Sequence, residues 1–111
     1  MIIGILGAGS WGSALANLLS GNGHDITVWS IDEKEIEILN TYREQRDRLP
    51  GVHLNETITF TTDLKQTIVG KKMIVCAVPS PFIRSTAKKI APYVTKDQLI
   101  VNVSKGIEEA T

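Results

Sequence analysis

Apolar positions in this chain come in short continuous blocks separated by longer segments of helical spacing. Residues 2–6 form an apolar run that leads directly into glycines and predict a buried parallel strand. Residues 13–19 set Ala14, Leu15, Leu18 and Leu19 at helical spacing, and Gly21 and Gly23 close that helix. Residues 25–29 are β-rich and predict a second strand. Residues 32–41 place Ile36, Leu39 and Asn40 on a helix with Ile38 beside them, and Asp32 and Glu35 match a capping box at its start. Residues 43–55 carry mixed charge and then Leu49-Pro50-Gly51, which reads as a loop or a broken helix end.

The second half repeats the alternation. Residues 57–61 predict a third strand from their β-branched, alternating pattern, and residues 63–69 a short helix capped by Asp63. Residues 73–78 are wholly apolar and predict a fourth strand, ended by Pro79 and Pro81. Residues 82–93 predict a helix with Ile83, Ala87, Ile90 and Ala91 on one face, and residues 99–103 a fifth strand. Apolar strands that alternate with helices imply a parallel sheet covered on both faces. With right-handed crossovers, strand order 3-2-1-4-5 fits best. The expected fold class is therefore α/β, a Rossmann-type doubly wound sheet, with residues 1–111 forming one domain.

Composition narrows the partners. The 111 residues are 42% hydrophobic and 22% charged, ordinary values for a soluble globular domain. Twelve basic residues balance twelve acidic ones, so no net field favours nucleic acid or an anionic membrane. No run approaches the roughly 18 apolar residues of a membrane span, and the start lacks the basic leader of a signal peptide. The one cysteine, Cys76, sits in an apolar run and is expected to be buried and inert, which favours the cytoplasm. The last residues, Lys105 to Thr111, have neither a closing helix nor a polar tail, so a longer parent polypeptide is expected.

Gly7-Ala8-Gly9-Ser10-Trp11-Gly12 supplies the candidate chemistry. The spacing is G-x-G-x-x-G, it follows a predicted strand, and it opens a predicted helix. Gly7 permits the tight turn, Gly9 lets the backbone approach a diphosphate, and Gly12 lets the helix pack closely on the sheet. The helix N-terminus then offers amides and a positive dipole end to the anion. Ser10 can serve a phosphate oxygen or cap the helix. Trp11, a large ring in a tight loop, is expected to face the cofactor.

Asp32 falls 20 positions after Gly12, near the distance at which such folds place an acidic residue on the ribose hydroxyls. It explains itself equally as a helix cap. Neither Ser30 nor Ile31 is a cation that would pair a 2′-phosphate, which favours NAD over NADP, with Lys34 and Arg43 as the remaining cations within reach. His24 and His53 read as surface residues.

Together with Arg48-Leu49-Pro50-Gly51, Val78-Pro79-Ser80 and Val103-Ser104-Lys105-Gly106-Ile107-Glu108, the glycine loop resembles the bacterial-type NAD(P)-dependent glycerol-3-phosphate dehydrogenases over nearly the whole chain. The resemblance implies interconversion of dihydroxyacetone phosphate and sn-glycerol 3-phosphate for phospholipid synthesis, by hydride transfer between the substrate's central carbon and the nicotinamide. It implies that Ser10 and Trp11 contact the cofactor, that Pro79 helps shape the nicotinamide pocket, and that Lys105 touches cofactor and substrate. The chain departs from the family at Ile31, where a His or Arg is common, and at Asn55, where a proline is common. The family's proton-donating lysine belongs to a second, helical domain outside this sequence, so cofactor binding without turnover is expected. A homodimer and self-association through surface meant for that domain are further expectations. The competing readings are another dehydrogenase with the same cofactor domain and a nucleotide-sensing module without chemistry.

Overall fold

The computed structural model describes residues 1–45 and 51–103. Five parallel strands, β1 (Ile2–Leu6), β2 (Asp25–Trp29), β3 (Thr59–Thr61), β4 (Met73–Cys76) and β5 (Leu99–Asn102), form one sheet in the order β3-β2-β1-β4-β5. The helices between them are α1 (Ser10–Gly21), α2 (Glu33–Tyr42), α3 (Leu64–Ile68) and α4 (Ile83–Ile90). A 3₁₀ turn, Ser80–Phe82, precedes α4. The expected topology is the one observed.

Strand periodicity explains how both faces are covered, because successive side chains point to opposite sides. Ile3 and Ile5 of β1, Ile26 and Val28 of β2, and Val75 of β4 pack with Ala16 of α1 and with Ile36 and Leu39 of α2. Leu6, Trp29 and Ile74 point the other way and pack with Ile68 of α3 and Ile90 of α4. Gly4 also faces this second layer, and a Cβ there would collide with the Thr67 carbonyl of α3. α3 therefore lies on the sheet backbone itself.

Several details depart from the apolar pattern. α1 begins at Ser10 rather than residue 13, and it turns Gly12, Ser13, Ala16 and Ser20 to the sheet. Leu18 is 62% exposed, while Leu15 and Leu19 pack only at the margin of the core. Small residues win that face because α1 approaches too closely for leucine. On α4 the packed residues are Ile83, Thr86 and Ile90, with Ala87 and Ala91 exposed. Asn40 is exposed as well, and its amide donates to the Phe60 carbonyl at 3.3 Å. β3 and β4 are shorter than expected, and Cys76 is half-buried rather than buried. β5 is an edge strand, so its apolar Leu99 and Ile100 are exposed.

Among the described residues no helix is long and apolar enough to cross a membrane. The expectations placed on residues 46–50 and 104–111, including Arg48, Leu49, Pro50, Ser104 and Lys105, lie outside the described residues.

Candidate functional site

The carboxyl ends of β1, β2 and β4 open into one cleft of about 300 Å³. Its floor is the glycine loop together with Ala77, Val78 and Pro79. One wall is the turn from β2 into α2, with Ser30, Ile31, Asp32 and Glu35. The opposite wall is α4 and the turn before it, with Phe82, Ser85, Thr86 and Lys89. β1 and β4 are sheet neighbours from which the chain winds in opposite directions, and ligands of open α/β sheets bind at such a switch point.

The glycines shape the floor by different means. Gly7 has φ +111°, where a side chain is strained, and a Cβ there would lie 2.8 Å from the Ala77 carbonyl oxygen. Its amide donates to Trp29 O at 2.8 Å, which ties the loop to the end of β2. A Cβ on Gly12 would fall on the Gly7 carbonyl oxygen, so α1 starts in direct contact with the turn. Gly9 differs, because its φ of −69° and ψ of −166° suit any residue. Backbone conformation does not demand glycine at position 9.

Gly9, rather than Ser10, is the N-cap of α1, so no side chain caps the helix and its first turn holds no acidic residue. The first amides of a helix have no intrahelical acceptor, and this end carries partial positive charge. Uncapped amides above a glycine floor fit a diphosphate, although the chain has no net charge.

Asp32 performs its capping role with one oxygen. Its Oδ1 accepts from the amides of Lys34 at 2.9 Å and Glu35 at 3.3 Å. Oδ2 has no partner among the described residues, and Asp32 lines the cleft. The cap and the ribose role are therefore compatible. Glu35 does not complete the capping box. Its Oε1 accepts from Ser30 Oγ at 2.8 Å and its Oε2 from Gln45 Nε2 at 3.0 Å. The Asp32 amide donates to Ser30 Oγ instead, at 3.2 Å.

The two tryptophans are used differently. Trp29 is buried, and its indole donates to Thr62 O at 3.1 Å. Trp11 is 46% exposed and lines the cleft. Ile31 is 69% exposed and also lines it. The two cations considered for a 2′-phosphate lie elsewhere. The Arg43 guanidinium donates to Ile58 O and sits 5.3 Å from the Phe60 ring centre, while Lys34 lines a separate shallow depression with Glu37 and Ile38. Lys89 is the described cation that lines the cleft.

Sequence reasoning missed Gln45, Phe82 and Lys89. Phe82, Ser85, Thr86 and Lys89 follow helical spacing and mark a ligand-side face that the apolar pattern of α4 obscured. Gln45 carries no local signal. His24 sits at the far end of the strands, where its Nδ1 lies 3.1 Å from the amino terminus, and His53 is an exposed partner of Glu56 at 3.2 Å. Asp97 lies in the turn before β5, away from the cleft, where a hydrogen bond from the Thr95 hydroxyl, helped by the Asp97 amide and Lys72, holds its carboxyl below the usual range.

Comparison with known proteins agrees with this geometry. A family described as NAD-dependent glycerol-3-phosphate dehydrogenase N-terminus matches residues 2–111. A glycerol-3-phosphate dehydrogenase, NAD(P)+, of Agathobacter rectalis is 56% identical over 109 residues, covering 98% of this chain and 32% of the relative. One from Fusobacterium nucleatum is 46% identical with the same coverage. The crystal structure of glycerol-3-phosphate dehydrogenase from Coxiella burnetii superposes with a TM-score of 0.86 at 30% identity, over 91% of this chain and 31% of that one. The chain thus spans about a third of the length of the curated relatives it matches. A cleft at the sheet's switch point, floored by this glycine loop, and a match over almost every residue agree: the chain belongs to the NAD-dependent glycerol-3-phosphate dehydrogenase N-terminus family.

Proposed function

We propose that this chain is the dinucleotide-binding domain of an NAD(P)-dependent glycerol-3-phosphate dehydrogenase, which interconverts dihydroxyacetone phosphate and sn-glycerol 3-phosphate. The observation that carries the reading is the uncapped first turn of α1 above a floor of glycine at the switch point. The amides of Gly9, Ser10 and Trp11 hold the diphosphate, Gly7 and Gly12 keep the floor thin, and Oδ2 of Asp32, without a partner among the described residues, accepts from a ribose hydroxyl. The exposed Trp11 ring covers the bound cofactor, and Pro79 shapes the pocket on the β4 side. Bound nicotinamide supplies or accepts the hydride. Lys105, outside the described residues, is proposed to reach both cofactor and substrate by its place in the Ser104-Lys105-Gly106 segment.

Domain extent 1–111, a cytoplasmic location and a homodimer belong to the same proposal. The location rests on a lone cysteine and the absence of a membrane-spanning helix among the described residues. The dimer rests on the apolar edge at Leu99 and Ile100 and is checked by sedimentation. Titration with NADH and NADPH, followed by nicotinamide fluorescence, tests the binding role. An activity assay on the full-length gene product tests the reaction. Cofactor binding without dehydrogenase activity in that product would favour the nucleotide-sensing alternative.

A further inference from the structure

The Ala8 carbonyl, inside the glycine loop, accepts two side-chain hydrogen bonds. One comes from Ser13 Oγ at 2.9 Å and the other from Gln45 Nε2, which lies 37 residues away in sequence. Ser13 is fully buried and Gln45 is 3% exposed. The second proton of the Gln45 amide goes to Glu35 Oε2 at 3.0 Å, Glu35 Oε1 accepts from Ser30 Oγ at 2.8 Å, and Ser30 Oγ accepts from the Asp32 amide at 3.2 Å. An unbroken relay therefore joins the β2–α2 wall of the cleft to the loop. Gln45 is itself held from behind. Arg43 takes the left-handed conformation at φ +54°, its carbonyl accepts from the Leu54 amide at 2.7 Å, and its guanidinium is fixed on Ile58 O and Phe60.

The peptide joining Ala8 and Gly9 is trans and planar, so its N–H points opposite to its C=O. Two donors hold the carbonyl toward the protein interior. The Gly9 amide must then point the other way, and no acceptor faces it among the described residues. We infer that Gln45 is a positioning residue: oriented by Glu35 and Ser30, it holds the Ala8 carbonyl directly and so aims the Gly9 amide at the cofactor's diphosphate. The inference rests on the reading that the glycine loop binds a dinucleotide.

The test compares wild type, Gln45→Met and Gln45→Lys by NADH titration, thermal melting and the ¹⁵N–¹H resonance of Gly9. Methionine matches glutamine in length but donates nothing. Lysine restores a donor that reaches both Ala8 O and Glu35. The expected results are a downfield shift of the wild-type Gly9 amide on binding, a dissociation constant raised about tenfold in Gln45→Met with that shift largely lost, and recovery to within about threefold in Gln45→Lys. Unchanged affinity and an unchanged Gly9 shift in a folded Gln45→Met overturn the inference. If Gln45→Met does not melt cooperatively, Glu35→Gln decides. It removes the charged acceptor that orients Gln45 and should weaken NADH several-fold, whereas wild-type affinity there overturns the inference. A wild-type protein that binds no NADH overturns the dinucleotide reading itself, a result distinct from either.

Discussion

The carbonyl oxygen of Gly7 occupies the space that a Cβ on Gly12 would need. The end of β1 and the first turn of α1 are thus in backbone contact, and the helix can come no nearer. Gly12→Ala should force the two apart and destabilise the domain by about 1–3 kcal/mol. A thermal melt should move down by several degrees. An unchanged melting temperature would mean that α1 shifts freely, contrary to its close packing.

Gly9 allows the opposite experiment. Its backbone angles admit a side chain, so Gly9→Val should still fold and melt cooperatively, at a cost of about 1 kcal/mol because valine is a poorer N-cap than glycine. The added side chain enters the place assigned to the diphosphate, so the NADH fluorescence change should disappear. Wild-type affinity in this variant would put the binding site elsewhere.

Two substitutions separate the roles of Asp32. Asn caps a helix as well as Asp does, so Asp32→Asn should leave stability unchanged while weakening NADH several-fold. Asp32→Ala should weaken NADH similarly and also cost about 1 kcal/mol of stability, since the amides of Lys34 and Glu35 lose their acceptor. Equal NADH affinity in wild type and both variants would leave Asp32 only its cap.

Ile31 is exposed on the β2–α2 wall of the cleft, and we propose that it sets the cofactor choice. NADH should bind at least as tightly as NADPH. Ile31→Arg should raise NADPH affinity about tenfold, as one charge-assisted hydrogen bond to a 2′-phosphate allows. A clear NADPH preference in wild type would refute this reading and direct attention to Lys89, the described cation across the cleft.

Much of this molecule could be read from its residues because a sheet buried on both faces writes continuous apolar strands. The strand order and the place of the cleft followed from that. The close approach at Gly12 was legible too, but the rest of the α1 face was not, since hydrophobicity counts leucines while that approach selects Ser13 and Ala16. Gln45 was illegible for another reason. Its partners, Ala8 and Glu35, are brought to it only by the completed fold, and its neighbours in sequence, Glu44 and Arg46, are charged.

The Ser30 hydroxyl stands where Glu35 would complete an ordinary capping box, and this frees the glutamate to reach Gln45. The start of α2 and the glycine loop consequently share one set of hydrogen bonds. They should open to solvent as a single cooperative unit, with their amides exchanging together, and a ligand gripping either wall would slow exchange at the other.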